Sequence, residues 1–83
     1  MNVHITEHAL LRWRQRIDRT ARRREIRNAI VAALEPGFAM RRRGRGFEMV
    51  MRQARIVLVP TLDGWDIITA KERRTRKEAG LGG

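Results

Sequence analysis

Hydrophobic positions in the first part of the chain recur at helical spacing. Thr6 is a suitable N-cap, and Leu10, Trp13 and Ile17 follow it at intervals of three or four residues. Side chains at these intervals lie on one face of a helix, where they can pack against a core. The pattern therefore predicts a first helix that ends near Asp18, with Trp13 on its buried face.

A second amphipathic helix is predicted after a very short link. Thr20 is its expected N-cap, and the Glu-Pro-Gly sequence at residues 35–37 ends it. A regular apolar stripe lies between these limits and consists of Ile26, Ala29, Ile30, Ala33 and Leu34. Because only Arg19 and Thr20 separate the two helices, we expect a helical hairpin or a sharp corner.

Beyond residue 37 the hydrophobic period changes from helical to two. Four segments read as strands, with short links that predict an antiparallel meander: residues 38–43, 47–52, 55–60 and 65–70. Phe47 and Met49 alternate with polar or mixed positions, so the sheet should have one apolar face for the helices to cover. The sequence Gly44-Arg45-Gly46 predicts a hairpin turn, and Trp65 is expected in the core. The predicted fold class is α+β, with an N-terminal helix pair packed on a four-stranded antiparallel meander.

Length and composition predict one small domain. The 83 residues suffice for a single core over residues 1–70, and residues 71–83, which lack apolar periodicity and end in glycine, read as a basic tail. The chain has no cysteine, so neither disulfides nor thiolate metal sites are expected. No apolar run reaches the roughly 18 residues of a membrane span, and charges interrupt the N-terminal region. We expect a cytoplasmic protein without a membrane partner.

Charge points to a polyanionic partner. Lys and Arg number 19 against 9 Asp and Glu, a formal net charge of +10, and 17 of the 19 are arginine. Arginine binds phosphate through two parallel hydrogen bonds and stacks on bases, which favours RNA or DNA over a generic acidic protein. The surplus is concentrated in the middle of the chain and recurs in the tail. The predicted nucleic-acid-binding residues are Arg41, Arg42, Arg43, Arg45, Arg52, Arg55, Arg73 and Arg74.

Candidate chemistry lies on the first predicted helix. His8, Arg12 and Arg16 follow one another at four-residue intervals and so share a face. A neutral imidazole can take a proton from a ribose 2′-hydroxyl while guanidinium groups stabilise charge on the phosphate, without any metal or cofactor. A surface that merely contacts phosphate or solvent would show the same spacing. His4, in the extended segment before the helix, is treated as incidental, and no metal site is expected.

The sequence at residues 5–17, Ile-Thr-Glu-His-Ala-Leu-Leu-Arg-Trp-Arg-Gln-Arg-Ile, resembles a known family of small domains. That family opens with a Thr-x-His-Ala-x-x-Arg-x-x-x-Arg helix and is related to the RelE-like toxins within the barnase, EndoU, colicin and RelE-like nuclease superfamily. The resemblance implies a metal-independent ribonuclease fold in which His8, Arg12 and Arg16 face the sheet. It further implies Arg52 and Thr69 as partners on the sheet, with Thr69 in the catalytic set, and an antitoxin or host complex as a protein partner.

Two functions follow as hypotheses. In the first, a RelE-like domain of toxin or phage type binds RNA and cleaves it, with His8 as the base. In the alternative, a non-enzymatic phage or mobile-element protein offers its arginine surface to an acidic host complex that processes nucleic acid, and inhibits it. Loss of cleavage on removing the imidazole would distinguish the two.

Overall fold

The computed structural model describes residues 2–35 and 40–73, which form two helices and a five-stranded mixed sheet. The elements in chain order are β1 (Asn2–Ile5), α1 (Glu7–Arg16), α2 (Arg23–Leu34), β2 (Met40–Arg43), β3 (Gly46–Val50), β4 (Ala54–Pro60) and β5 (Gly64–Glu72). Across the sheet the strands are ordered β1-β5-β4-β3-β2. The predicted α+β class is therefore confirmed.

The sheet has one strand more than predicted, and it is not wholly antiparallel. β1 pairs in parallel with β5, so that Asn2 lies opposite Gly64 and Ile5 opposite Ile67. A Cβ atom at position 64 would lie 1.7 Å from the carbonyl oxygen of Asn2, so only glycine permits this close approach. The four predicted strands do form the antiparallel meander β2–β5. The fifth strand was not predicted because β1 has only four residues and its partner is distant in sequence.

Helix α1 begins where Thr6 was expected to cap it. The Thr6 hydroxyl accepts a hydrogen bond from the Ala9 N–H at 3.2 Å and donates to the Ile67 carbonyl oxygen at 2.7 Å. The Thr6 side chain thus provides a hydrogen-bond acceptor for a free N–H in the first turn of α1 and also connects that turn to β5. Trp13 is buried in the core, as predicted, together with Ala9, which was not in the predicted stripe, whereas Leu10 and Ile17 are only partly buried.

Helix α2 begins later than predicted, because Thr20 belongs to the link and does not cap the helix. Its backbone N–H and hydroxyl both donate to Asp18 Oδ1, at 3.0 and 2.8 Å. The N-cap is Arg22, whose backbone N–H donates to Glu25 Oε1 at 2.8 Å. The Arg14 side chain spans the link by donating from Nε to the Ala21 carbonyl oxygen at 2.8 Å.

The core lies between the helices and one face of the sheet. Ile26 and Ile30 of α2 are buried with Met49, Ile56 and Leu58 of the central strands. This arrangement confirms that the helices cover the apolar face of the sheet. Among the described residues, no helix combines the length and apolar character needed to cross a bilayer.

Strand β5 contains an irregularity, and it also ends later than predicted. Val57 is opposite Thr69 but Leu58 is opposite Ile67, so Ile68 is an extra residue on β5. The strand continues to Glu72, two residues beyond the predicted segment. Of the predicted tail, residues 74–83 lie outside the described residues.

The turn between β2 and β3 is the predicted glycine-containing hairpin. Arg43 is opposite Gly46, and Gly44 has a φ of +60° while Arg45 has a negative φ. A positive φ at the first central position only is the pattern of a type II′ turn, which favours glycine there. The hairpin projects Arg45 from the end of the sheet.

Candidate nucleic-acid interface

One face of the sheet is not covered by either helix; we call it the open face. In β4, Ala54, Ile56 and Leu58 are buried under the helices, whereas the alternating side chains on the opposite side are partly exposed. Strand pairing extends this second set across the sheet. The open face comprises His4, Arg41, Arg43, Glu48, Val50, Arg55, Val57, Val59, Asp66, Thr69 and Lys71.

A row of charged side chains crosses the open face from β2 to β5. Glu48 is opposite Arg41, while Arg55 is opposite Lys71 on the next strand. With neighbouring strands about 4.8 Å apart, the row from β2 to β5 spans about 14 Å. Four cations and one carboxylate therefore lie close together in neighbouring cross-strand positions of this face.

At the centre of the row, two arginines approach one carboxylate. Arg43 Nη1 lies 3.3 Å and Arg55 Nη1 3.7 Å from the same oxygen, Glu48 Oε2. The Glu48 side chain is only 10 % exposed, against 55 % for Arg43 and 21 % for Arg55. Arg55 is further fixed because its Nε donates to the Glu72 carbonyl oxygen at 3.1 Å. The carboxylate thus occupies a position that cations face from two sides.

The other predicted arginines lie around the edge of this face. Arg42 alternates to the opposite side of edge strand β2, and Arg45 lies in the hairpin turn. Arg52 follows β3, and its carbonyl oxygen accepts a hydrogen bond from Arg73 Nη1 at 3.4 Å. Arg74 lies outside the described residues. The structure therefore places Arg41, Arg43 and Arg55 on the open face itself, Arg45, Arg52 and Arg73 in the segments next to it, and Arg42 on the opposite face of the sheet.

The first helix does bring His8 and Arg12 together. Arg12 Nε faces His8 Nε2 in a long contact of 3.5 Å, and Arg12 Nη1 donates to Gln15 Oε1 at 3.3 Å. Arg16 is exposed at the end of the helix, and within the described residues no hydrogen bond joins it to His8.

Thr69 is not part of that group. It lies opposite Val57 on the open face, whereas α1 packs through Ala9 and Trp13 on the buried face. Arg52 is likewise in the link after β3. Within the described residues, no hydrogen bond joins Thr69 or Arg52 to His8. The extra residue in β5 shifts the alternation, so that Ile67 and Ala70 both face the core and Thr69 faces the other side.

Two members of the charged row were missed from the sequence. Lys71 was assigned to the tail, although the strand continues through it. No role was assigned to Glu48 from the sequence, although this residue lies between Arg43 and Arg55. Its position opposite Arg41 follows from the register of the β2–β3 hairpin, but its position beside Arg55 requires the β3–β4 register as well.

Aromatic side chains are directed away from the open face. Phe47 and Trp65 pack edge to face, with ring centroids 5.8 Å apart, and both contact the core. Trp13 is buried on α1. In the described part of the chain, the open face therefore offers guanidinium, carboxylate and aliphatic groups and the imidazole of His4, but no Phe or Trp ring.

No model of a known protein family, no curated protein and no solved structure matches this chain. Within residues 2–35 and 40–73, no group of three or more His, Cys, Asp or Glu side chains is arranged to hold a metal ion. Function is therefore inferred from the chemistry of the open face and of α1.

Proposed function

We propose that this protein binds the phosphate backbone of nucleic acid, RNA in the first place, through the open face and the β2–β3 hairpin. The observation that carries the proposal is the group of four cations on three strands, β2, β4 and β5, of the open face. Arg41, Arg43, Arg55 and Lys71 share one face of a sheet that neither helix covers. A surface of this charge, in a chain with a net charge of +10, attracts polyanions and releases their counterions on binding.

The chemistry of the face favours recognition of the backbone over recognition of bases. Proteins that bind single strands through an open sheet typically stack bases on aromatic rings. Here Phe47 and Trp65 contact the core instead. Binding through guanidinium groups and phosphates tolerates many sequences and weakens steeply as salt is added.

The first prediction compares two double variants with the same loss of charge. Arg41→Gln with Arg45→Gln removes cations from the open face and the hairpin, whereas Arg24→Gln with Arg27→Gln removes exposed cations from α2. We expect the first pair to weaken binding of a short labelled RNA roughly tenfold or more at low salt. Its slope of log K against log salt should also fall by about 1.4, or 0.7 for each lost phosphate contact on a single strand.

The α2 pair is the matched control and should change affinity much less. Equal losses in both pairs would show that only net charge matters and would exclude the open face as the site. If RNA binding does not depend on salt, or if no RNA binds at low salt, the alternative is favoured. In that alternative the arginine surface binds an acidic host complex that processes nucleic acid.

A second function is supported by the contact between His8 and Arg12. A neutral imidazole beside a guanidinium is suited to accept a proton from a 2′-hydroxyl while the cation stabilises the phosphate. Metal-independent RNA cleavage by α1 therefore remains our second proposal, and a cleavage assay in chelator tests it. Kinship with the RelE-like toxins stays a prediction from residues 5–17.

A further inference from the structure

The contact between Glu48 and the two arginines has the form of an occupied anion site. Arg43 and Arg55 lie on strands on either side of β3 and direct one Nη1 atom each toward Glu48 Oε2, at 3.3 and 3.7 Å. Arg43 is opposite Gly46 and Arg55 is opposite Val50, so the two guanidinium groups reach Glu48 from opposite diagonals. A single oxygen atom is thus shared by two cations from different strands.

The site is partly fixed before any ligand arrives. Arg55 is held by the hydrogen bond from its Nε to the Glu72 carbonyl oxygen, which leaves its Nη atoms directed at Glu48. Arg41, directly across from Glu48, adds a third cation on the same face. Guanidinium groups bind carboxylate and phosphate oxygens with the same geometry, so a site that holds one is suited to the other.

We propose that Arg43 and Arg55 form a phosphodiester-binding site on the open face, and that the Glu48 carboxylate occupies this site until a phosphate displaces it. The inference that this phosphate belongs to a nucleic acid rests on the function proposed above. Glu48 then acts as an internal competitor. It neutralises part of the charge of both arginines in the free protein and repels the incoming phosphate.

The competition between Glu48 and phosphate determines whether removing the Glu48 charge raises or lowers the affinity for RNA. Replacing Glu48 with glutamine keeps the size of the side chain but removes the negative charge that the arginines face. Both guanidinium groups are then free to neutralise phosphates, so affinity should rise and more counterions should be released. A purely structural carboxylate would have the opposite effect, because its removal would leave the arginines less well positioned.

The decisive experiment compares Glu48→Gln with Glu35→Gln, an equal change of charge at an exposed position at the end of α2. We expect Glu48→Gln to tighten binding of a short labelled RNA about tenfold. Its salt slope should become steeper by about 0.7 to 1.4, corresponding to one or two additional phosphate contacts on a single strand. The Glu35→Gln variant should have a small effect on both quantities. Equal effects of the two variants, or weaker binding by Glu48→Gln, would overturn the site.

A second measurement uses the wild-type chain and does not depend on the variant folding. During titration with RNA, the Nε–Hε resonances of Arg43 and Arg55 and the side-chain carboxyl resonance of Glu48 should shift together. The corresponding signals of Arg24 and Arg27 should move less. If the Arg43 and Arg55 resonances shifted and the Glu48 carboxyl resonance did not, displacement of Glu48 by phosphate would be contradicted.

Pyrophosphate separates failure of the site from failure of the proposed function. If the protein binds no RNA, selective shifts of Arg43 and Arg55 with pyrophosphate would support the site and discard the nucleic-acid function. If RNA binds but neither RNA nor pyrophosphate moves these two arginines selectively, the site is overturned and the nucleic-acid function stands on the other cations.

Discussion

Asp18 and Thr20 form a small turn that sets the ionisation of one carboxyl group. The Thr20 backbone N–H and, to a smaller extent, its hydroxyl donate to Asp18 and lower the pKa of that carboxyl below its ordinary value of 3.8. Both hydrogen bonds favour the charged form. A lowered pKa in the folded state means that the carboxylate stabilises the fold above about pH 4. That contribution is lost as the pH falls through the lower, folded value.

We predict that Thr20→Val raises the pKa of Asp18 without restoring it fully. The substitution removes the hydroxyl but leaves the backbone N–H, which is the larger cause of the lowered value. The carboxyl carbon of Asp18 should be followed by NMR as the pH is lowered, with Thr20→Ser as the variant that keeps the hydroxyl. A pKa in Thr20→Val equal to that of the wild type would show that the hydroxyl makes no difference.

Strand β1 depends on a glycine in its partner strand. The position of a Cβ atom at residue 64 would overlap the backbone of Asn2, which has no flexible end that can move away. At Gly44, by contrast, a Cβ atom would meet nothing within 4 Å, and only the positive φ disfavours a side chain. The two glycines are therefore required for different reasons.

We predict that Gly64→Ala destabilises the protein by more than about 2 kcal/mol, because backbone must separate from backbone. Gly44→Ala should cost about 1–2 kcal/mol, the usual penalty for a left-handed conformation. Urea unfolding measures both values, and hydrogen exchange should show loss of protection in β1 only for Gly64→Ala. A similar loss in β1 for both variants would be inconsistent with this explanation.

The elements that were predicted from the sequence are those that carry local signals. Thr6 is followed by an apolar stripe at helical spacing, and Gly44 lies between two strands that alternate with period two. Each signal is contained within about a dozen residues, so it can be recognised without knowledge of the fold.

The features that were missed depend on residues far apart in sequence or on a break in the pattern. Nothing near β1 specifies a parallel partner at the other end of the chain. The extra residue Ile68 breaks the alternation of β5 and so concealed that Thr69 and Lys71 belong to the open face. The contact of Glu48 with Arg43 and Arg55 required the register of three strands at once.

At the scale of the whole molecule, the two candidate surfaces are on opposite sides of the sheet. His8 and Arg12 are on α1, which packs against the buried face, whereas the charged row is on the open face. A single bound strand would have to pass around an edge of the sheet to reach both. Binding and cleavage should therefore respond to different substitutions.

We predict that His8→Ala lowers metal-free RNA cleavage by roughly 100-fold or more and leaves RNA affinity nearly unchanged. The imidazole would be the proton acceptor, and a neutral ring contributes little to attraction of phosphate. Cleavage is followed in the presence of chelator. The Arg41→Gln and Arg45→Gln double variant is the control, because its main loss should be in RNA affinity. Wild-type protein that is folded, binds RNA and leaves it intact in chelator would exclude the catalytic function.

The pairing of β1 with β5 also makes the order of synthesis matter. Thr6 and its partner Ile67 are 61 residues apart, so α1 has no sheet to pack against until β5 has been made. At about 5–20 residues per second, this delay is roughly 3–12 s on the ribosome. During that time Val3, Ile5 and Trp13 lack the strand that completes the sheet. We therefore expect the core around β1 and α1 to form only after β5 has been made, because the contacts that complete it have a large sequence separation.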